Sequence, residues 1–201
     1  MTNHVYLRLT GFGATVTPYA PFRIVRLDAE GRRLRVASEV GEAVFDFALT
    51  VPDSVPHIAD VSKSAFQNPW RLETAVYSSP WPQTFEIVST QDPASPAGYD
   101  LIGPQGSLIY VQGPFPPSRL ASVHSLVAAG QTVRSVGQTG AHEWIRLAYE
   151  HEGNGWEQTH VLVRLAEFSL AVTTQAPLAH ADDTFAAACA MAMGVLPFRL
   201  E

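Results

Sequence analysis

The sequence predicts an α+β fold, an antiparallel β-sheet packed by helices, on three observations. The stretch from His142 to Pro197 resolves into three alternating strands and one amphipathic helix. Turn signals built on Gly, Pro and Asn recur along the whole chain. Helical periodicity is confined to two segments, too few for the crossover units of a parallel sheet.

In chain order, Pro21 to Leu27 reads as a strand that turns at Glu30-Gly31 and returns through Leu34-Arg35-Val36, and Ala43 to Thr50 reads as another. Pro52 to Pro69 is rich in proline, serine and aspartate and predicts a long loop with at most a helical turn near Ile58 to Phe66. Leu72 to Tyr77 and Thr84 to Ser89 are strands joined through Ser78-Ser79-Pro80-Trp81-Pro82, and Asp92 to Pro96 is a break. Tyr99 to Ile102 and Leu108 to Gln112 form a hairpin across Gly103-Pro104-Gln105-Gly106. Ser118 then caps a helix carrying Leu120, Val123 and Val127, which Gly130 stops. The result is about eleven strands and two helices.

The last third is the most regular. Ile145, Leu147 and Tyr149 alternate with Arg146 and Glu150; Val161, Val163 and Leu165 alternate with His160 and Arg164. A loop of Gly153, Asn154 and Gly155 between them lets both strands bury their odd residues, with Ala148 opposite His160 and Trp144 opposite Arg164. Phe168 to Gln175 is the third strand. Asp182 or Asp183 then caps a helix with an apolar stripe of Phe185, Ala188, Cys189, Ala192 and Met193, and Gly194 ends it.

Composition excludes several function classes. The 201 residues are 46% hydrophobic, 16% charged and 10% aromatic, which argues for a packed core over disorder. The chain suits a strand-rich part over residues 1–96 and a sheet with two helices over 97–201, together forming one compact unit. No apolar run approaches the roughly 20 residues that cross a bilayer, and the start has no basic-then-apolar leader. A single cysteine, Cys189, fits a reducing cytoplasm and rules out an internal disulfide. The net charge of -6 argues against nucleic acid, and the cluster Arg26, Arg32, Arg33 and Arg35 reads as a solvated hairpin face.

The order of the hairpin Tyr99 to Gln112, the helix Ser118 to Ala129, three meandering strands and a closing helix after Thr173-Thr174-Gln175-Ala176-Pro177 resembles the Mog1/PsbP-like group over roughly residues 99–197. The resemblance implies an antiparallel sheet sandwiched by helices and a binding or scaffolding role. The lipoprotein cysteine of some members is absent here, and the first ninety-odd residues are additional.

Candidate sites follow from residue type. Trp144, Arg146, Trp156, His160, Leu162 and Arg164 form an aromatic and arginine face suited to a protein partner or a second copy, with a covering helix as the structural alternative. A second candidate is an apolar small-molecule cleft under the Trp70 to Trp81 loop, with Trp70, Tyr77, Trp81, Tyr99 and His124. His142, His151 and His160 have the wrong register for a metal site. No catalytic nucleophile is evident, since Cys189 sits in a packing stripe and there is no G-x-S-x-G elbow, and no cofactor is expected. The expected protein is a cytoplasmic, non-enzymatic interaction or accessory protein; the alternative is a small-molecule-binding protein or cofactor-free enzyme that uses the cleft under the Trp70 to Trp81 loop.

Overall fold

The computed structural model describes residues 7–52, 55–90 and 98–198. The break expected at Asp92 to Pro96 lies outside them. Strand accounts for 52% of the structure and helix for 13%, with one α-helix among the described residues. The expectation of a sheet packed by helices is therefore corrected to a β-rich fold. The reason is local: where Ser118 to Ala129 predicted a helix, Pro116-Pro117 and Gly130 leave only a 3-10 turn at Val123–Leu126, and a strand follows.

The chain divides into two compact units, one of residues 1–100 and 196–201, the other of residues 101–195. The first contains β1 (Arg8–Gly11), β2 (Ala14–Pro18), β3 (Phe22–Arg26), β4 (Arg33–Ser38), β5 (Gly41–Asp46), β6 (Ala59–Lys63), β7 (Arg71–Glu73), β8 (Tyr77–Pro80) and β9 (Glu86–Ser89). β10 (Tyr99–Ile102) leads into the second unit, which holds β11 (Leu108–Phe115), β12 (Thr132–Thr139), β13 (His142–His151), β14 (Asn154–Arg164), β15 (Ser169–Pro177) and α1 (Ala181–Met193). β16 (Leu196–Pro197) then belongs to the first unit.

The first unit orders its strands as β16-β8-β7-β1-β2-β6 and, separately, β9-β3-β4-β5, with antiparallel neighbours throughout. β6 lies inside the segment expected to be a loop, because Ala59 and Val61 alternate inward against β2. Leu9, Val16, Ile24, Leu34, Leu72 and Ile87 are fully or almost fully buried, as alternating strands require. The arginine cluster is not uniformly solvated. The Arg26 guanidinium stacks 3.6 Å over the Trp81 ring and donates to the carbonyls of Trp81 and Pro82, while Arg32 lies over Phe12. Asp28 fixes the β3–β4 turn by accepting from the Arg32 and Arg33 amides at 2.9 Å.

In the second unit the strands run β12-β13-β14-β15-β11-β10, again antiparallel. The β13–β14 turn has two residues, Glu152 and Gly153, with φ of 51° and 75°, so His151 pairs with Asn154. This corrects the three-residue loop expected from the sequence and changes the parity of the register. Ile145 now opposes His160, and Ala148 opposes Glu157. Ile145, Leu147, Leu162 and Ala171 pack with Leu120 and Val123 of the irregular segment on one face. Trp144, Arg146, Glu157, Thr159 and Val161 lie on the other, under α1. β14 and β15 are thus buried on both sides, and Val161-Leu162-Val163 reads as a continuous apolar run for that reason.

Candidate functional site

The register distributes the six residues of the expected face over two sides of the sheet. Trp144 and Arg146 point toward α1, whereas Trp156, His160, Leu162 and Arg164 point toward the 115–127 segment. Trp144 is wedged between Gly137, where an added Cβ would fall 2.4 Å from the indole, and the Phe185 ring at 5.1 Å. Leu162 is core, and Arg164 pairs with Glu143 at 3.1 Å and donates to the Ala121 carbonyl. Trp156 packs against Tyr149 and His151 near the hairpin end. The covering helix expected as the alternative is present on the Trp144 side.

His160 is 2% exposed; its Nδ1 lies 2.9 Å from Thr173 Oγ1, and its Nε2 is buried without a hydrogen-bond partner. Burial lowers its pKa to about 4, so the ring is neutral near pH 7. His142 is on the helix side and His151 is exposed at the hairpin end. Among the described residues no group of three His, Cys, Asp or Glu side chains is placed to hold a metal ion. Burial pushes the Cys189 thiol up, against the opposing influence of Thr139 and Arg146, which makes it a poor nucleophile.

Under the start of α1 lies an ionic cluster that sequence reasoning missed. Glu157, 2% exposed at its side chain, accepts from Arg146 Nε at 2.5 Å and Arg134 Nη1 at 3.0 Å. Arg146 also donates through Nη2 to Asp182 at 2.5 Å and lies over the Phe185 ring. A cleft of about 360 Å³ is lined by Arg134, Ser135, Arg146, Glu157, Leu178, Ala181 and Asp182. Arg134 reaches the cluster because β12 bulges between Val133 and Ser135. A three-residue loop would set Glu157 opposite His151, whereas the two-residue turn sets it opposite Ala148, on the face that carries Arg146.

The residues of the second candidate are core. Trp70 and Trp81 are 2% and 4% exposed, and their indole N–H groups donate to the carbonyls of Gly31 and Phe85. Tyr77 and Tyr99 are buried with their hydroxyls 3.0 Å apart, and burial pushes the Tyr99 phenol up to about 12. His124 belongs to the other unit and is exposed. Tyr77→Phe is expected to lower stability by about 1 kcal/mol, since one buried hydroxyl loses its partner. Urea denaturation with the tyrosine absorbance as readout measures it.

A third feature is β12 itself. It is the outermost strand of its unit, and no strand among the described residues pairs with its outer edge. Residues 132–136 are all exposed. The bulge brings Val133 and Val136, opposite Leu147 and Ile145, to the same face, at 45% and 50% exposure.

No protein-family model matches the chain, and no curated protein matches it. Among solved structures, the chain is similar to LpqN of Mycobacterium tuberculosis, described as involved in cell envelope biogenesis. The identity is 14% and the TM-score 0.43, over 61% of this chain and 83% of that one. No helix among the described residues is long and apolar enough to cross a membrane.

Proposed function

We propose that the protein is a non-enzymatic interaction protein that takes an extended segment of another polypeptide along the outer edge of β12. The observation that carries this reading is the exposed edge itself, with Val133 and Val136 side by side on it. An edge strand offers a row of N–H and C=O groups to an added strand, and proteins usually block it with lysine, proline or an outward bulge. β12 contains neither lysine nor proline. Its bulge instead serves to bring Arg134 to Glu157. Backbone pairing would then supply affinity and the two valines would supply contact area, as in strand addition.

The surface differs from the Trp144 and Arg146 face suggested by the sequence, because α1 packs over those two residues. The single cysteine supports placing the protein in the cytoplasm.

Native mass spectrometry of the protein isolated from its own host tests the proposal. A retained polypeptide is expected, either a second copy or a different chain, and the double variant Val133→Lys/Val136→Lys is expected to release it while changing stability by less than about 0.5 kcal/mol, as exposed positions allow. A protein that is monomeric throughout, or a complex indifferent to the two lysines, overturns it.

A further inference from the structure

We propose that the cleft between β12, β13 and the start of α1 binds a small monoanionic carboxylate, held by Arg134 and Arg146, and that Asp182 is the internal occupant it displaces. The proposal stands apart from strand pairing at β12. The cleft, at about 360 Å³, is in the range of small-ligand pockets. Its walls carry more donors than its acceptors use. Arg146 engages Glu157 through Nε and Asp182 through Nη2, and Arg134 engages Glu157 through Nη1. Arg146 Nη1, Arg134 Nε and Nη2 and the Ser135 hydroxyl have no hydrogen-bond partner among the described residues, and all three side chains line the cleft.

The two carboxylates differ in how firmly they are held. The Glu157 side chain is 2% exposed and is bound by both arginines. Asp182 is 88% exposed and makes one contact to Arg146. An ion pair so exposed is weakly held and exchanges readily with a competing anion. The charge count selects the ligand class. Two guanidinium groups against the fixed charge of Glu157 leave one positive charge once Asp182 swings out, which one carboxylate neutralises. A phosphate dianion would add a second negative charge beside the buried Glu157. The planar guanidinium fork also matches a carboxylate's two oxygens. Leu178 and Ala181 in the wall provide a place for a small apolar body behind the carboxylate.

The test is a titration of the full ¹⁵N-labelled chain with sodium acetate, sodium benzoate and inorganic phosphate at constant ionic strength held with sodium chloride, following the arginine Nε–H signals. Saturable shifts at Arg134 and Arg146 with acetate and benzoate are expected. Asp182→Asn removes the internal competitor and is expected to tighten binding about tenfold, equivalent to ~1.4 kcal/mol. Arg134→Gln, which leaves the Arg146–Glu157 pair in place, is expected to weaken it by a similar factor. A gain in Asp182→Asn is what a purely structural ion pair does not produce. Shifts that are linear with concentration and equal to those from chloride mean an adventitious ion only and overturn the site. Phosphate binding tighter than acetate overturns the monoanion assignment, and unchanged affinity in Asp182→Asn overturns its role as the displaced occupant.

Discussion

Between pH 6.5 and pH 4 the protein is expected to lose about 3 kcal/mol of folding stability through His160, a loss that follows from the depression of its pKa to about 4. The native ring resists protonation because it is buried beside Thr173 with nothing to receive a proton-bearing Nε2. The unfolded ring takes up its proton near 6.5. The unfolded state therefore binds more protons in this window, so the contribution is complete above pH 6.5 and falls away as the pH drops toward 4. The charged groups on the same face do not rescue it, since Glu143 and Arg164 are paired with each other. Urea unfolding measured across the window for the wild type and His160→Gln should give a steep acid slope in the first and a shallower one in the second. Coincident slopes would show that His160 is not the acid-sensitive group.

The second large effect is expected at Glu157. Glu157→Ala should cost about 3 kcal/mol, because it removes the acceptor of two charge-assisted hydrogen bonds, from Arg146 Nε and Arg134 Nη1, and leaves only Asp182 on Arg146. The same measurement on Arg134→Ala and Asp182→Asn should give less than about 1 kcal/mol each, as both side chains are at least half exposed. The ranking is the informative quantity. If all three substitutions cost the same, burial does not govern the cluster, and the difference in firmness between Glu157 and Asp182 is lost with it. Raising the salt concentration should narrow the small effects and leave the Glu157→Ala effect nearly unchanged, because screening reaches only solvated charges.

What could be read from the sequence follows the strength of alternation. The hairpins of β3 with β4 and β10 with β11, the strand β13 and the helix α1 have apolar periods and clear stops, β14 and β15 are long apolar runs bounded by turn residues, and all stand close to where the sequence put them. β12 was missed because a bulge at Arg134 breaks its period and all of residues 132–136 are exposed, so no inward face is written into them. β6 was missed because five residues between proline-rich and serine-rich stretches give too short a pattern. The site was harder. Gly153 and Gly155 both permit a turn, and choosing between a two-residue and a three-residue loop moves every side chain of β14 to the other face. That single parity separates an Arg146–Glu157 pair from an aromatic surface. The continuous burial of Val161-Leu162-Val163 hides the choice, since a strand covered on both sides has no polar face to declare its register.

The strand β16 has a consequence for how the protein is made. Leu196 and Pro197 complete the first unit by pairing with Ser78 and Tyr77, and the Phe198 amide donates to the Val76 carbonyl. All of residues 101–195 is translated between the two partners of that pairing. While the ribosome is still producing the second unit, the emerged first unit carries β8 as a bare margin, open to the wrong strand from the same nascent chain or from a neighbour on the same message. A truncation that spares every residue of the second unit would leave that margin bare permanently, and its damage would appear more than a hundred residues upstream of the cut.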